Sequence, residues 1–375
     1  MYDQLCDIAK IEKYYHHVRL TSKHRRKIVN FENFYMINIA QIYFVLKNRQ
    51  YKHSAYNVFL IKEPKYRIIM SEIISDKIVN HLLSEEILLP ILEPKLIEMN
   101  VATRKDKGLK KGLYYVKKYI NSLKFKCDHF YILKCDISKY FYKIDHEILL
   151  EKLACYIKDK EILDMIKDII ETTNSEETNK RIRALISKEE KRIKEKNLSD
   201  QEYRLSELHR IPFYDKGKGI PIGNMTSQIF AVFYLNDLDH FIKEKLKIKY
   251  YVRYMDDFIL FHPDKEYLKY CLKEIEKELA KVKLELNRKT QIISMKQGFS
   301  FIGYRFILKG KKLIVLLNPQ TKRRICKKMK YIENHPELPF AYRQSAMASY
   351  KGYFLNAHCG AFLYRHGWYQ KKKKK

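Results

Sequence analysis

The hydrophobic pattern of this chain changes period several times, and each change marks an element. Basic clusters such as Lys23-His-Arg-Arg-Lys27 alternate with apolar positions, which recur at helical spacing over residues 31–46, so residues 1 to about 55 read as helical. Residues 58–61 and 66–70, separated by Glu63-Pro-Lys65, predict a hairpin. A helical period returns over residues 71–89, with Ile74, Ile78, Leu82 and Leu83 on one face. Residues 102–112 read as a basic, Gly-containing loop, and residues 113–123 as an amphipathic helix. The run at 130–136 predicts a strand that ends on an acid, Asp136, and a further helix starts near Asp145.

Residues 171–210 differ from their surroundings, with charged runs such as Glu189-Glu-Lys-Arg-Ile-Lys-Glu-Lys196 and few large apolar residues. That composition predicts a solvated helical excursion from a loop. Gly217, Gly219, Pro221 and Gly223 mark a turn region, and residues 225–246 are again helical. Two runs rich in β-branched and aromatic residues, 250–254 and 258–261, predict strands that meet at Asp256 and Asp257. Beyond them come a helix over 266–282 and strands near Leu284, near Ile292, over 301–308 and over 313–317. Residues 319–375 are helical and basic, and end in a lysine tail, Lys371 to Lys375, expected to be disordered.

Composition narrows the partners. A 375-residue chain has room for two or three domains, and 46% hydrophobic residues make it globular. The formal charge of +31 repels itself in the folded state and calls for a polyanion, with nucleic acid the leading candidate. The 30 tyrosines suit a groove in which rings stack on bases. The longest apolar runs are short, such as residues 87–92 with Pro90 inside, so no membrane span is expected. The N-terminus has no basic region followed by an apolar signal core. Seven scattered cysteines without a C-x-x-C pair favour reduced thiols in a cytoplasmic protein over disulfides or structural zinc. His16-His17 and His358-Cys359 have no second pair at metal spacing.

The chemistry concentrates on carboxylates. Asp256 and Asp257 sit at the tip of a predicted hairpin, and adjacent acids are costly together unless a cation neutralises them. On that segment alone, a metal site and a solvated Asp-Asp turn read equally. Asp136, at another strand end 120 residues earlier, changes the balance. Two-metal phosphoryl transfer needs carboxylates that come from different strands and converge at one place.

These segments resemble the blocks of the reverse transcriptases. Tyr254-Met-Asp-Asp257 is similar to their catalytic tip, and Asp136-Ile-Ser-Lys-Tyr-Phe141 to their first catalytic block. Gly219-Ile-Pro-Ile-Gly-Asn-Met-Thr-Ser-Gln228 resembles the block between them. Leu286-Asn-Arg-Lys-Thr290 and Phe299-Ser-Phe-Ile-Gly-Tyr304 resemble the two later blocks, in order. Glu63-Pro-Lys-Tyr-Arg67 and the basic loop at 102–111 fit the fingers region. The resemblance runs from about residue 25 to 365, interrupted at 171–210.

It implies an α+β right-hand polymerase with fingers, a palm of antiparallel sheet packed on helices, and a short helical thumb. Residues 1–125 would be N-terminal helices and fingers, and 126–310 the palm, with the 171–210 insertion and a returning fingers segment at 211–224. Residues 311–370 would be the thumb and 371–375 a basic tail, and no RNase H or homing-endonuclease domain is expected. Asp136 and Asp256 would hold two Mg²⁺ ions, with Mn²⁺ as a substitute and Asp257 as a supporting acid. Phe141 would bar a ribonucleotide 2′-OH, Lys65 and Arg67 would touch the triphosphate, and Lys289 would neutralise or protonate the pyrophosphate. Ile222, Gly223 and Gln228 would line the nucleotide, while Tyr254 and Gly303 would face primer and template. The partners implied are template RNA, a cDNA or DNA primer, and dNTPs.

One departure from the family pattern carries more. Where most reverse transcriptases have Gln-Gly-x-x-x-Ser-Pro, this chain has Ile222-Gly-Asn-Met-Thr-Ser-Gln228. That variant, with residues 349–359, resembles the enzymes of diversity-generating retroelements, which copy RNA with frequent errors opposite adenine and work with a basic accessory protein. Loss of the amide removes a hydrogen bond from a discrimination worth only ~1–3 kcal/mol. The alternatives are a reverse transcriptase of an antiphage-defence (antiviral) or group II intron-like system, and a non-catalytic RNA-binding protein on the same fold.

Overall fold

The computed structural model describes the chain except residues 23–24, 64, 175, 197–198 and 369–375. Lys23 and His24 of the basic cluster, Pro64 of the first hairpin and the Lys371–Lys375 tail therefore lie outside the described residues. The chain opens with helices α1 (Ile8–Thr21), α2 (Arg25–Glu32) and α3 (Tyr35–Lys47). Asp7 caps α1, its carboxylate accepting from the Lys10 N–H. Strands β1 (Asn57–Ile61) and β2 (Arg67–Ser71) pair antiparallel, with Asn57 opposite Ser71 and Ile61 opposite Arg67, as the sequence predicts. Helix α4 (Ile74–Leu83) buries the face of Ile74, Ile78, Leu82 and Leu83, and α5 (Leu89–Leu92) carries Pro90 in its first turn.

Helix α6 (Gly108–Leu123) begins five residues before the expected start at 113, because Gly112 is a packing glycine and not a loop glycine. A Cβ at Gly112 would stand 3.0 Å from Ile302 Cδ1 and 3.3 Å from Val101 Cγ2. Strand β3 (Tyr131–Asp136) is followed by α7 (Tyr140–Lys143), α8 (His146–Ala154), α9 (Lys160–Glu171), α10 (Glu176–Glu195), α11 (Gln201–His209), α12 (Met225–Tyr234) and α13 (Asn236–His240). Strands β4 (Tyr250–Tyr254) and β5 (Asp257–His262) lead to α14 (Lys265–Lys281).

No strand forms at Leu284. Lys283 takes a φ of 56° and the Leu284 N–H donates to the Leu279 carbonyl, so this buried leucine closes a helix C-terminus. Then come β6 (Gln291–Ser294), β7 (Phe299–Phe301), β8 (Tyr304–Lys309) and β9 (Lys312–Leu317). The strand expected over 301–308 is broken at Ile302 and Gly303, whose φ values of 43° and 85° make a two-residue turn between Phe301 and Tyr304. Helices α15 (Pro319–Glu333), α16 (Phe340–Leu355) and α17 (Gly360–Arg365) are the last elements among the described residues. Asn318 caps α15 and Pro319 occupies its first turn.

These elements form two compact units. The first comprises residues 1–97, 137–239 and 277–285. In it, α10 and α11 do not behave as a solvated excursion: Ile182, Ile193 and Leu208 are buried together with Tyr56, Ile68, Met70, Ile211 and Tyr214. The Arg181 guanidinium donates to the Tyr56 carbonyl at 3.0 Å, fixing α10 against the start of the β1 hairpin. The charged residues that dominate the segment line the other faces, in i,i+4 pairs such as Glu190–Lys194 at 2.7 Å.

The second unit comprises residues 98–136, 240–276 and 286–375. Its main sheet is antiparallel in the order β4-β5-β3-β6, beside a three-stranded sheet β7-β8-β9. Val116, Tyr119 and Ile120 of α6 share a core with Ile132, Val252, Ile259 and Phe261 of the first sheet. Phe299, Phe306 and Val315 extend that core to Ile325, Met329, Phe354 and Leu363 of the terminal helices.

The burial in α10 and α11 generates a test. Ile182→Ala and Leu208→Ala should each destabilise the protein by about 2–5 kcal/mol, the cost of emptying a buried aliphatic site. Urea unfolding checks this, and a change within ~0.5 kcal/mol, as for a solvated surface position, would contradict the packing.

Candidate active site

The β4–β5 hairpin turns on two residues, Met255 and Asp256, between the paired Tyr254 and Asp257. Met255 holds a φ of 58°, the left-handed value that the first position of a tight primed turn requires and that a non-glycine residue adopts at a cost. Two features keep it there. Arg253, fully buried, donates from Nη1 to the Met255 carbonyl at 3.0 Å. Its own backbone is gripped from the other side: its N–H donates to the Met99 carbonyl and its carbonyl accepts from the Val101 N–H. Residues 99–101 thereby cover the edge of β4.

Asp136 is the last residue of β3, and the register places it directly opposite Asp257. Cross-strand partners have Cβ atoms ~5 Å apart on the same face. The acid expected in a supporting role thus stands opposite the first-block acid, and Asp256 stands on the adjoining turn. Both strands are apolar up to this point: Ile132, Leu133, Cys135, Phe258, Ile259 and Leu260 are buried, so the carboxylates emerge where the core ends.

The electrostatics follow from that position. Burial pushes the Asp257 carboxyl up to about 6; Lys134 opposes the shift, the Asp136 charge adds to it, and Lys289 lowers it. Lys134 lies two residues before Asp136 on the same strand and so faces the same side. The block at 286–290 is tied directly to the acid: the Asn287 N–H donates to the Asp136 carbonyl at 2.7 Å. The Asn287 side chain accepts from the Lys289 N–H at 3.1 Å and its carbonyl from the Thr290 N–H at 2.9 Å. Asn287 therefore shapes the turn that brings exposed Lys289 into the electrostatic surroundings of Asp257.

The remaining candidates on β2, in the Phe141 turn and in the block at 219–228 are linked within the first unit. The Ile220 N–H donates to the Phe141 carbonyl at 2.8 Å, and the Met70 N–H donates to the Ile222 carbonyl at 3.0 Å. Residues 220–222 thus bridge the Phe141 turn to β2, the strand that begins with Arg67. Gly223 has a φ of 139°, and a Cβ there would lie 2.5 Å from the Met70 carbonyl oxygen, so the position admits only glycine without rearrangement. Phe141, Ile222 and Gln228 are half-buried, while Lys65 and Arg67 are exposed. In the second unit, Gly303 sits in the β7–β8 turn, its carbonyl accepting from the Asn318 N–H at 3.0 Å. Tyr254 is half-buried, and burial raises its hydroxyl pKa.

Arg253, Lys134 and Asn287 were not singled out by the sequence. Only Asn287 has a local signal, the turn-forming asparagine; the other two act through strand register and burial.

The donor set fits a hard divalent cation in kind, since carboxylate oxygens are what Mg²⁺ prefers. Among the described residues, no group of three His, Cys, Asp or Glu side chains forms a ready metal cage. Mg²⁺ is commonly held by one or two carboxylates and completed by substrate phosphates, which the Asp136–Asp257 pair matches. No described helix is long and apolar enough to cross a membrane.

Comparison with known proteins gives a family. The family model described as reverse transcriptase (RNA-dependent DNA polymerase) matches residues 52–306. No curated protein matches the chain. Among solved structures, the chain is similar to apo telomerase from Candida tropicalis truncated from its C-terminal domain, with 15% identity and a TM-score of 0.46 over 74% of this chain and 59% of that one. It is also similar to telomerase from Candida albicans in complex with a TWJ fragment of telomeric RNA, with 12% identity and a TM-score of 0.46 over 92% and 60% of the two chains. Apo telomerase from Candida tropicalis gives 13% identity and a TM-score of 0.45 over 70% and 48%. This chain spans about half to three fifths of the length of those telomerases.

The elevated Asp257 carboxyl predicts a pH-dependent stability. Its proton is held in the folded state up to about pH 6 but released near 3.8 when unfolded, so this contribution is present below 3.8 and lost as pH rises through 6. In chelator, Asp257→Asn should gain stability relative to the parent between pH 4 and 6, reaching on the order of 1–3 kcal/mol above pH 6. Denaturant unfolding at several pH values reads this, and a difference that does not vary with pH would remove Asp257 as its source.

Proposed function

We propose, because the chain belongs to the reverse transcriptase family and brings Asp136 and Asp257 into cross-strand register beside Asp256, that it makes DNA on an RNA template by nucleotidyl transfer. The observation that carries the proposal is the placement of three carboxylates at one end of a buried sheet. Asp136, Asp256 and Asp257 would hold divalent metal, Mg²⁺ in the first instance, which supplies charge stabilisation for the attacking and leaving oxygens of phosphoryl transfer. Lys134 and Lys289 limit the negative charge of the acids before substrate arrives. Lys289 also offers a cation for the pyrophosphate, and Lys65 and Arg67 cations for the triphosphate. The Phe141 ring would exclude a 2′-OH and so favour dNTPs over rNTPs. Template RNA and a primer would approach along Tyr254 and the Gly303 turn. In this reading residues 1–125 act as N-terminal helices and fingers, 126–310 as palm and 311–370 as thumb.

The finer reading is an error-prone enzyme of a diversity-generating retroelement, working with a basic accessory protein. Its support is the pair Ile222 and Gln228, where most of the family carry glutamine and proline. Ile222 has its backbone fixed by Met70, so the change there lies in the side chain alone. A solitary operon in a defence island, in place of a gene with a variable repeat and an imperfect copy nearby, would move the reading to an antiphage-defence or group II intron-like enzyme.

Primer extension on RNA with dNTPs and Mg²⁺ tests the chemistry. Asp136→Asn and Asp256→Asn should each reduce the rate by at least about 10³-fold, the several kcal/mol that bound metal contributes. Retained extension would exclude these acids, and no extension by the parent chain would favour a non-catalytic RNA-binding protein. Phe141→Ala should lower the preference for dNTPs over rNTPs by roughly 10–200-fold. Ile222→Gln should reduce misincorporation opposite template adenine, read by sequencing the products; an unchanged error spectrum would refute the role given to Ile222.

A further inference from the structure

The second unit carries an open cavity of about 690 Å³ lined by Lys117, Asn121, Lys124, Lys311, Lys312 and His358, with Leu313 and Val315 at its base. Lys117 and Asn121 lie four residues apart on one face of α6, and Lys124 is the residue that caps its C-terminus. Lys311 and Lys312 come from the β8–β9 turn and the start of β9. His358 is fixed to β9: its N–H donates to the Val315 carbonyl at 2.7 Å and its Nδ1 accepts from the Val315 N–H at 2.9 Å. That assignment leaves the Nε2–H as a donor.

No carboxylate lines the cavity, and among the described residues none of its lysines forms an ion pair. Among the described residues, Lys117 alone of the four is engaged by the protein backbone, donating to the Asn356 carbonyl at 3.2 Å. Beside it stands Phe125, 69% exposed, with the Lys124 and Lys311 ammonium groups 4.9 and 5.7 Å from its ring centre. The cavity is also separate from the acidic turn. The C-terminal end of α6 meets the start of β4, Ser122 Oγ lying 3.0 Å from Tyr250 Oη, whereas the acids follow the end of that strand. Four residue steps of strand correspond to ~13 Å.

We infer that this cavity binds the phosphate backbone of a single-stranded RNA segment, with one base stacked on Phe125, at a place apart from the stretch being copied. Four uncompensated ammonium groups at separate points suit successive phosphates, and an exposed ring between lysines is a platform for a base. An acidic peptide would use the lysines but has no need of the ring. The choice of RNA rests on the polymerase reading above; the site itself rests on its charge and geometry.

The test uses the full chain and a fluorescent single-stranded RNA of mixed sequence, with binding measured at several salt concentrations. Combined Lys117→Gln, Lys124→Gln, Lys311→Gln and Lys312→Gln substitutions should weaken binding and reduce the slope of log affinity against log salt by on the order of 2–3. Phe125→Ala should weaken binding roughly 10-fold with the slope unchanged, and remains informative if the combined variant does not fold. Extension of a short primed template should be unaffected in both variants. Unchanged affinity and slope in the lysine variant, or displacement of the RNA from this site by polyglutamate at equal charge concentration, would overturn the inference. Binding is read without synthesis, also in an Asp256→Asn background. A chain that binds RNA through these lysines but extends no primer would therefore support the site while counting against the polymerase reading.

Discussion

Two carboxylates facing each other across neighbouring strands repel, and much of the second unit serves to hold Asp136 and Asp257 in that arrangement. At ~5 Å and an effective dielectric near 20, the repulsion is about 3 kcal/mol. The strands that carry the acids bury Ile132, Leu133, Phe258, Ile259 and Leu260, each worth about 1.5–3 kcal/mol on leaving water. The apolar sheet therefore wins over the charges at its end. Lys134 and Lys289 reduce the repulsion without removing it, which leaves Asp257 short of a cation. Such a site stores an affinity for positive charge in its resting state.

The same logic governs the turn that carries Asp256. A methionine in left-handed backbone is unfavourable, yet the buried Arg253 and the clasp of residues 99–101 over-determine it. A glycine at 255 would relieve the strain and also loosen the turn. Rigid support beneath a strained tip fixes where a carboxylate stands before any ligand arrives, which is the form preorganisation takes here.

The strands at 57–61, 67–71, 131–136 and 250–262 were legible in the sequence because each is a short β-branched or aromatic run bounded by turn residues or by acids. The acids of the site were legible for the same reason: they stand where apolar runs stop. What failed was information that resides in contacts. Gly112 reads as a loop residue until Ile302 and Val101 are seen against it. Leu284 reads as strand, although its burial closes a helix through a Schellman-type bond. Ile182, Ile193 and Leu208 are too sparse among charges to show a face, because the core they join is completed by residues distant in sequence, Tyr56, Ile68 and Met70 among them. Arg253 was hidden within the motif, since nothing local distinguishes a buried arginine from a surface one.

The tie between Met70 and Ile222 bears on how such a protein diversifies. Main-chain hydrogen bonds at Met70 and Phe141, with the glycine that follows, hold the loop through atoms common to every amino acid. Side chains at 222 are interchangeable as far as that scaffold is concerned. Mutation at this one codon changes the side chain without unsettling these main-chain ties. A lineage could change this side chain by successive substitutions, each intermediate remaining a folded protein on which selection can act.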